Sequence, residues 1–197
     1  ASGTGFFINS DGYFVTNNHV IASCSNQSQI SYRGKNVSAR LIAKDKSLDL
    51  ALLKADVSPR KYIKISNDRP KKLQKVIAAG YPLGKGLSDD LKFTQGIISS
   101  LKGFEDNSNQ IQIDAALNVG NSGGPIVNED GELVAVAVSG MAKDVTESIN
   151  FGIKASSLMN FLDVNSVKYS SMNLNFSMSS DKLANILEES TVYTFCN

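Results

Sequence analysis

Apolar and polar residues alternate in short runs along most of the chain: "GFFI", "YFVTN", "QISYR", "VSARLIA", "LDLALLKA", "YIKIS", "KVIAAGY", "LKFTQGIISSL", "QIQIDAA", "ELVAVAVSG" and "INFGI". A period of two places successive side chains on opposite faces, so each run predicts a strand. Clusters of turn-forming residues separate them, among them "NSDG", "RGK", "PLGKG", "EDNSN" and "NEDG". Many short strands at this spacing predict a barrel or a sandwich. Helical spacing is rare. "NNHVIAS" predicts one short turn, "KASSLMNFLDVN" a helix with a serine start, and "SMSSDKLANILEES" a second helix with Leu183, Ile186 and Leu187 on one face. "STVYTFCN" follows as a terminal strand, so the tail is expected to wrap back onto the body.

Composition narrows the class. The 197 residues are 42% hydrophobic, ample for a buried core, and 20 Lys and Arg against 19 Asp and Glu leave a formal charge of +1. That charge gives no field to hold a polyanion or a membrane surface, so neither nucleic acid nor membrane is an expected partner. No run of apolar residues is long enough to span a bilayer, and no basic-then-apolar leader opens the chain; a secretion signal could have been removed before Ala1. The most basic interval, "RKYIKISNDRPKKLQK", alternates charge with apolar residues and reads as solvated strand faces joining two lobes. We place the boundaries at 1–71, 72–164 and an extension over 165–197.

Two cysteines, Cys24 and Cys196, stand at opposite ends. Their spacing fits neither a redox pair nor a zinc site, and a single histidine in the chain argues further against a metal. They read either as two buried thiols or as a disulfide. The terminal strand needs an anchor, which favours the disulfide and with it an oxidising, periplasmic or secreted setting.

The candidate chemistry centres on "NVGNSGGPIV", where Ser122 sits among glycines and a proline. A serine hydroxyl is a weak nucleophile and needs a base within hydrogen-bond reach, itself oriented by a third group. His19 is the only imidazole available. Asp49 interrupts the leucines of "SLDLALL", where an unpaired charge is costly and a histidine N–H would be a suitable donor. Asp45, in the charged turn "KDK", and Asp114, in an alternating strand before the serine, are its competitors. The glycines suit an oxyanion hole, in which the N–H groups of Gly120 and Ser122 face a developing charge without obstruction.

His, Asp and Ser in that chain order, together with "GTGFFINSDGYFVTNNHVI", "LDLALLK", "GYPLG", "TQGIISS", "IQIDAALNVGNSGGPIVNEDGELVAV" and "INFGIKASSLMNFL", resemble the trypsin-like serine proteases of the HtrA (Deg) type over residues 3–162. The resemblance implies an all-β fold of two antiparallel six-stranded barrels, with a helix and short tail after them. His19 and Asp49 would come from the first barrel and Ser122 from the second, with the oxyanion loop formed by Gly120, Asn121 and Ser122. It further implies a serine endopeptidase acting on polypeptides, unfolded or damaged ones among them, with no metal or organic cofactor. A catalytically latent protease fold serving as a binding or chaperone-like module is the alternative. Ala116 and Leu117 would line the pocket for the residue before the scissile bond, and Val138, Ser139 and Gly140 would pair with the substrate backbone. No acidic residue stands at the pocket base, so an apolar, small-to-medium side chain is expected there. The residues after Leu162 are too few for the PDZ domain that usually follows in the family. The segment that supports family trimers is missing, so a monomer is expected. Asn121 replaces the aspartate of digestive trypsins, which argues against activation by a newly cleaved N-terminus.

Overall fold

A computed structural model describes residues 1–25, 27–82, 90–138, 149–173 and 177–196. The first barrel closes in the order β1 (Ser2–Phe7), β14 (Thr191–Cys196), β3 (Ser28–Tyr32), β4 (Lys35–Asp45), β5 (Leu50–Ala55) and β2 (Tyr13–Thr16). The second is a ring of β7 (Lys75–Gly80), β8 (Lys92–Ser100), β9 (Gln110–Ile113), β12 (Asn150–Lys154), β11 (Leu133–Val138) and β10 (Pro125–Val127). All pairings within the two rings are antiparallel. Two short strands, β6 (Ile65–Ser66) and β13 (Ser171–Met172), add to the flank of β11 in parallel. Three helices follow the predicted positions: α1 (Asn18–Ile21), α2 (Ala155–Val164) and α3 (Ser180–Ser190).

Alternation along the strands decides where each side chain goes. In β1, Phe7 packs inside the first barrel with Phe14, Ile30, Leu53 and Val192. Its neighbour Phe6 points the other way, into a core shared with Leu50, Leu52, Val136, Val138 and Ile153 from both barrels. That shared core also receives Leu158, Phe161 and Leu162 of α2 and Leu183 and Leu187 of α3. Ala135 and Ala137, alternating with Val136 and Val138, fill the second barrel with Ile98, Ile111, Ile113 and Ile126. The two barrels are thus held by side chains of the same strands that build them, each fully buried Leu, Ile or Phe contributing about 1.5 to 3 kcal/mol.

The tail supplies a structural strand. β14 lies between β1 and β3, with Thr4 opposite Tyr193 and Ile30 opposite Thr194. A disulfide between Cys24 and Cys196, residues 172 apart in sequence, pins its end. α3 delivers the chain to this strand and is capped by Ser179, whose hydroxyl accepts from the Lys182 N–H at 3.3 Å. α2 differs from the expected serine start. Lys154 precedes its first turn without a side-chain cap, and Ser157 instead donates to Asn109 at 3.0 Å. Among the described residues no helix is long and apolar enough to cross a membrane.

Candidate active site

His19 and Asp49 meet because β2 and β5 are antiparallel neighbours, with Thr16 opposite Ala51. The residues just past the end of β2 therefore face those just before β5. His19 sits in the single turn of α1, and Asp49 ends the β4–β5 turn in a left-handed conformation with φ of 60°. Aspartate tolerates that region better than most residues. It aims both the carbonyl and the carboxylate of Asp49 at the start of α1. The carbonyl accepts from Asn18 N–H at 3.2 Å and from the Asn17 amide at 3.0 Å. Carboxylate Oδ1 accepts from His19 N–H at 2.8 Å, while Oδ2 lies 2.6 Å from His19 Nδ1.

Asn17 holds the N-cap position of α1 but makes no side-chain cap bond. Asp49 therefore does the capping from the β4–β5 turn, satisfying the first N–H groups of α1. The same carboxylate fixes the ring, since an acceptor at Nδ1 selects the tautomer with its proton there and leaves Nε2 free to accept. The His19 side chain is 47% exposed and that of Asp49 25%, so the ring is open to an incoming molecule while its partner is partly shielded. The two competitors are engaged elsewhere. Asp45 accepts from Leu48 N–H at 3.0 Å within the β4–β5 turn, and Asp114 accepts from Ile97 N–H of β8 at 2.7 Å.

Ser122 closes a 3-10 turn over Val119–Asn121 and is 1% exposed. Its loop is pinned on both sides. Gly123 N–H donates to Ala137 and Ala137 N–H to Gly124, both at 2.9 Å, tying the loop to β11. From the first barrel, Thr4 N–H donates to the Ser122 carbonyl at 2.9 Å and Thr4 Oγ1 donates to the Gly120 carbonyl at 2.7 Å. Gly123 has φ of 87°, and a Cβ there would overlap Thr4 O and Thr16 Oγ1 and stand 2.9 Å from Asn17 N. The serine loop thus lies against the residues that lead into α1. A Cβ on Gly3 would stand 2.8 Å from Val20 and 2.9 Å from the Ser122 carbonyl, so β1 separates α1 from the serine loop by the width of one glycine.

The loop expected to supply the oxyanion donors has two of its N–H groups engaged within the loop itself. Ser122 N–H donates to the Val119 carbonyl at 3.3 Å, and Asn121 N–H to Asn118 at 2.9 Å. Gly120 and Asn121 are both buried, and Asn121 packs on Gly80. Ala116 is exposed and Leu117 half-buried against the second barrel core; Ala116 O accepts from Thr94 and Ala115 O from Asn150, at 2.9 and 2.8 Å. Val138 is buried at the end of β11. Ser139 and Gly140 lie outside the described residues. Thr4, Thr94 and Asn150 were not singled out from the sequence. The one available signal was a threonine between two glycines, just ahead of the two phenylalanines of its strand.

Among the described residues no group of His, Cys, Asp and Glu is arranged to hold a metal ion. A cavity of about 310 Å³ lies beside α3, lined by Arg60, Lys64, Asp130, Glu132, Met178 and Ile186, none of which belongs to the candidate site.

Residues 3–136 match the family model described as a trypsin-like peptidase domain. The chain is 38% identical over 160 residues to the serine protease Do-like HtrA of Bacillus subtilis, covering 75% of this chain and 35% of that protein. It is 42% identical over 143 residues to a probable periplasmic serine endoprotease DegP-like of Rhizobium meliloti, covering 69% and 27% respectively. The crystal structure of the serine endoprotease from Yersinia pestis superposes with a TM-score of 0.71 at 33% identity, over 83% of this chain and 57% of that one. The chain thus spans about a third or less of these two curated relatives. With two antiparallel barrels and an HtrA-like sequence around His19, Asp49 and Ser122, the chain belongs to the trypsin-like peptidase family, in its HtrA type.

Proposed function

We propose that the protein is a serine endopeptidase that hydrolyses peptide bonds of unfolded or damaged proteins. Ser122 Oγ attacks the peptide carbonyl, His19 takes its proton and returns it to the leaving amine, and Asp49 orients the ring and stabilises the imidazolium. The observation that carries this reading is the double hydrogen bond from His19 to Asp49, at 2.6 and 2.8 Å, which fixes both the ring and the backbone of the proposed base. N–H groups of Gly120 and Ser122, with Asn121 between them, would hold the oxyanion. For this, Ser122 N–H must leave the Val119 carbonyl, so substrate binding turns the Val119–Gly120 peptide. Leu117 and Ala116 form an apolar wall for the side chain before the scissile bond, and Val138 begins the segment to which a substrate strand adds. The disulfide and the periplasmic DegP-like relative fit an oxidising compartment.

The bond between Ser122 N–H and Val119 O favours a second reading, a latent protease fold that binds polypeptides without turning them over. A fluorophosphonate separates the two. Stoichiometric labelling that vanishes in Ser122→Ala supports the peptidase. A folded protein that takes up no label in the presence of an unfolded polypeptide overturns it.

A further inference from the structure

We infer that Thr4 is a positioning residue for the nucleophile loop, its hydroxyl fixing the Gly120 carbonyl so that only the neighbouring peptide turns when the oxyanion site forms. The inference rests on the peptidase reading above for its kinetic consequence, but not for its geometry. Thr4 is fully buried on β1, in the barrel opposite the loop. Its hydroxyl accepts from Tyr81 N–H at 3.1 Å, and this leaves its own proton to donate to Gly120 O at 2.7 Å. Its N–H donates to Ser122 O at 2.9 Å, and its carbonyl accepts from Thr16 Oγ1 at 2.7 Å. One residue therefore holds the carbonyls on both sides of Asn121.

The Val119–Gly120 peptide lies just before this clamp. Turning it releases Ser122 N–H and swings Gly120 N–H toward the substrate, while Gly120 O and Ser122 O stay where Thr4 holds them. Without the hydroxyl, Gly120 O and Tyr81 N–H lose a buried partner, and the loop samples arrangements in which Ser122 and the oxyanion donors are misaligned. Thr4→Val keeps the shape and removes the hydroxyl; Thr4→Ser keeps the hydroxyl and removes the methyl.

The test compares wild type, T4V and T4S in peptide hydrolysis and in hydrogen exchange of the segment spanning residues 117–124. In T4V, kcat should fall about 10- to 100-fold with KM within about twofold, and the segment should exchange about tenfold faster. T4S should restore both to within about threefold. Should T4V not fold, T4A, which also removes the hydroxyl and relieves crowding in the buried site, takes its place against T4S. Unchanged kcat and exchange in T4V overturn the inference, as do equal losses in T4V and T4S, which would assign the effect to the methyl group. If wild type neither hydrolyses peptides nor takes up the fluorophosphonate, the peptidase reading fails, and the exchange comparison alone decides the role of Thr4.

Discussion

Replacing both Cys24 and Cys196 by serine should destabilise the protein by about 4 kcal/mol while leaving the site intact at low temperature. The bridge joins residues 172 apart, and the entropy removed from an unfolded chain by closing a loop of that size corresponds to about 5 kcal/mol at 25 °C. Realised values fall short of that limit, so about 4 kcal/mol is the working figure. Both cysteines are only half-buried, so serine in their place costs little packing, and β14 keeps its register with β1 and β3. The effect therefore acts on the unfolded ensemble. For a chain of this length it should lower Tm by roughly 10 °C. Urea titration of the oxidised wild type and of the double variant measures it, with a steeper m in the variant because its unfolded chain exposes more surface. Cys24 lies just beyond α1 and its N–H donates to Ile21 at 3.1 Å, so the turn bearing His19 keeps its own hydrogen bonds without the bridge. Fluorophosphonate labelling well below the transition should be unchanged. A loss of stability under about 1 kcal/mol, or labelling lost while the circular dichroism remains native, would refute the reasoning.

Asp49→Asn should reduce kcat by about 10³- to 10⁴-fold in a peptide assay, because the amide still accepts from His19 N–H but presents a donor to Nδ1 and favours the wrong tautomer. Gly123→Ala should cost about 2 to 4 kcal/mol in urea titration, since the residue has positive φ and its Cβ would overlap Thr4 O and Thr16 Oγ1. Peptides with alanine or valine before the scissile bond should be cleaved faster than those with lysine or arginine, and a panel varied at that position reads this directly. Burial, with Glu129 and Asp68 nearby, pushes the Asp130 carboxyl pKa up. A carboxyl whose pKa is raised by folding contributes stability below its ordinary range and loses it as pH rises through the raised value. Asp130→Asn should therefore raise Tm slightly at neutral pH and leave it unchanged at about pH 3, where the carboxyl is protonated folded or unfolded.

Most strands were legible because period-two alternation states which residues share a face, as Phe6 and Phe7 illustrate by entering different cores. Alternation does not name a partner strand. "STVYTFCN" reads as a strand, yet its place between β1 and β3 depends on contacts across nearly the whole chain. "YIKIS" also alternates, but the strand formed is only Ile65–Ser66; Ile63 N–H donates to Phe7 O instead, while Lys64 O takes the Leu133 N–H that pairs this short strand with β11. At the site, Asp49 was legible as a carboxylate among leucines. Its second duty, capping α1, was not, because a cap supplied from a turn 30 residues away leaves no local signature. Thr4 was hidden for the same reason: its partners are Gly120, Ser122 and Tyr81, all distant in sequence.

The position of β14 also sets an order of assembly. During synthesis, β1 to β5 emerge first, but the ring they belong to stays open until residues 191–196 have been made, after the whole second barrel. At roughly 5 to 20 residues per second, the delay between β5 and β14 is on the order of ten seconds. A nascent chain stalled before Thr191 should remain sensitive to an added protease in its first barrel and become resistant once β14 is released. The barrel that carries His19 and Asp49 is therefore begun first and closed last, so the two barrels can present a finished surface to each other only once residues 191–196 are in place.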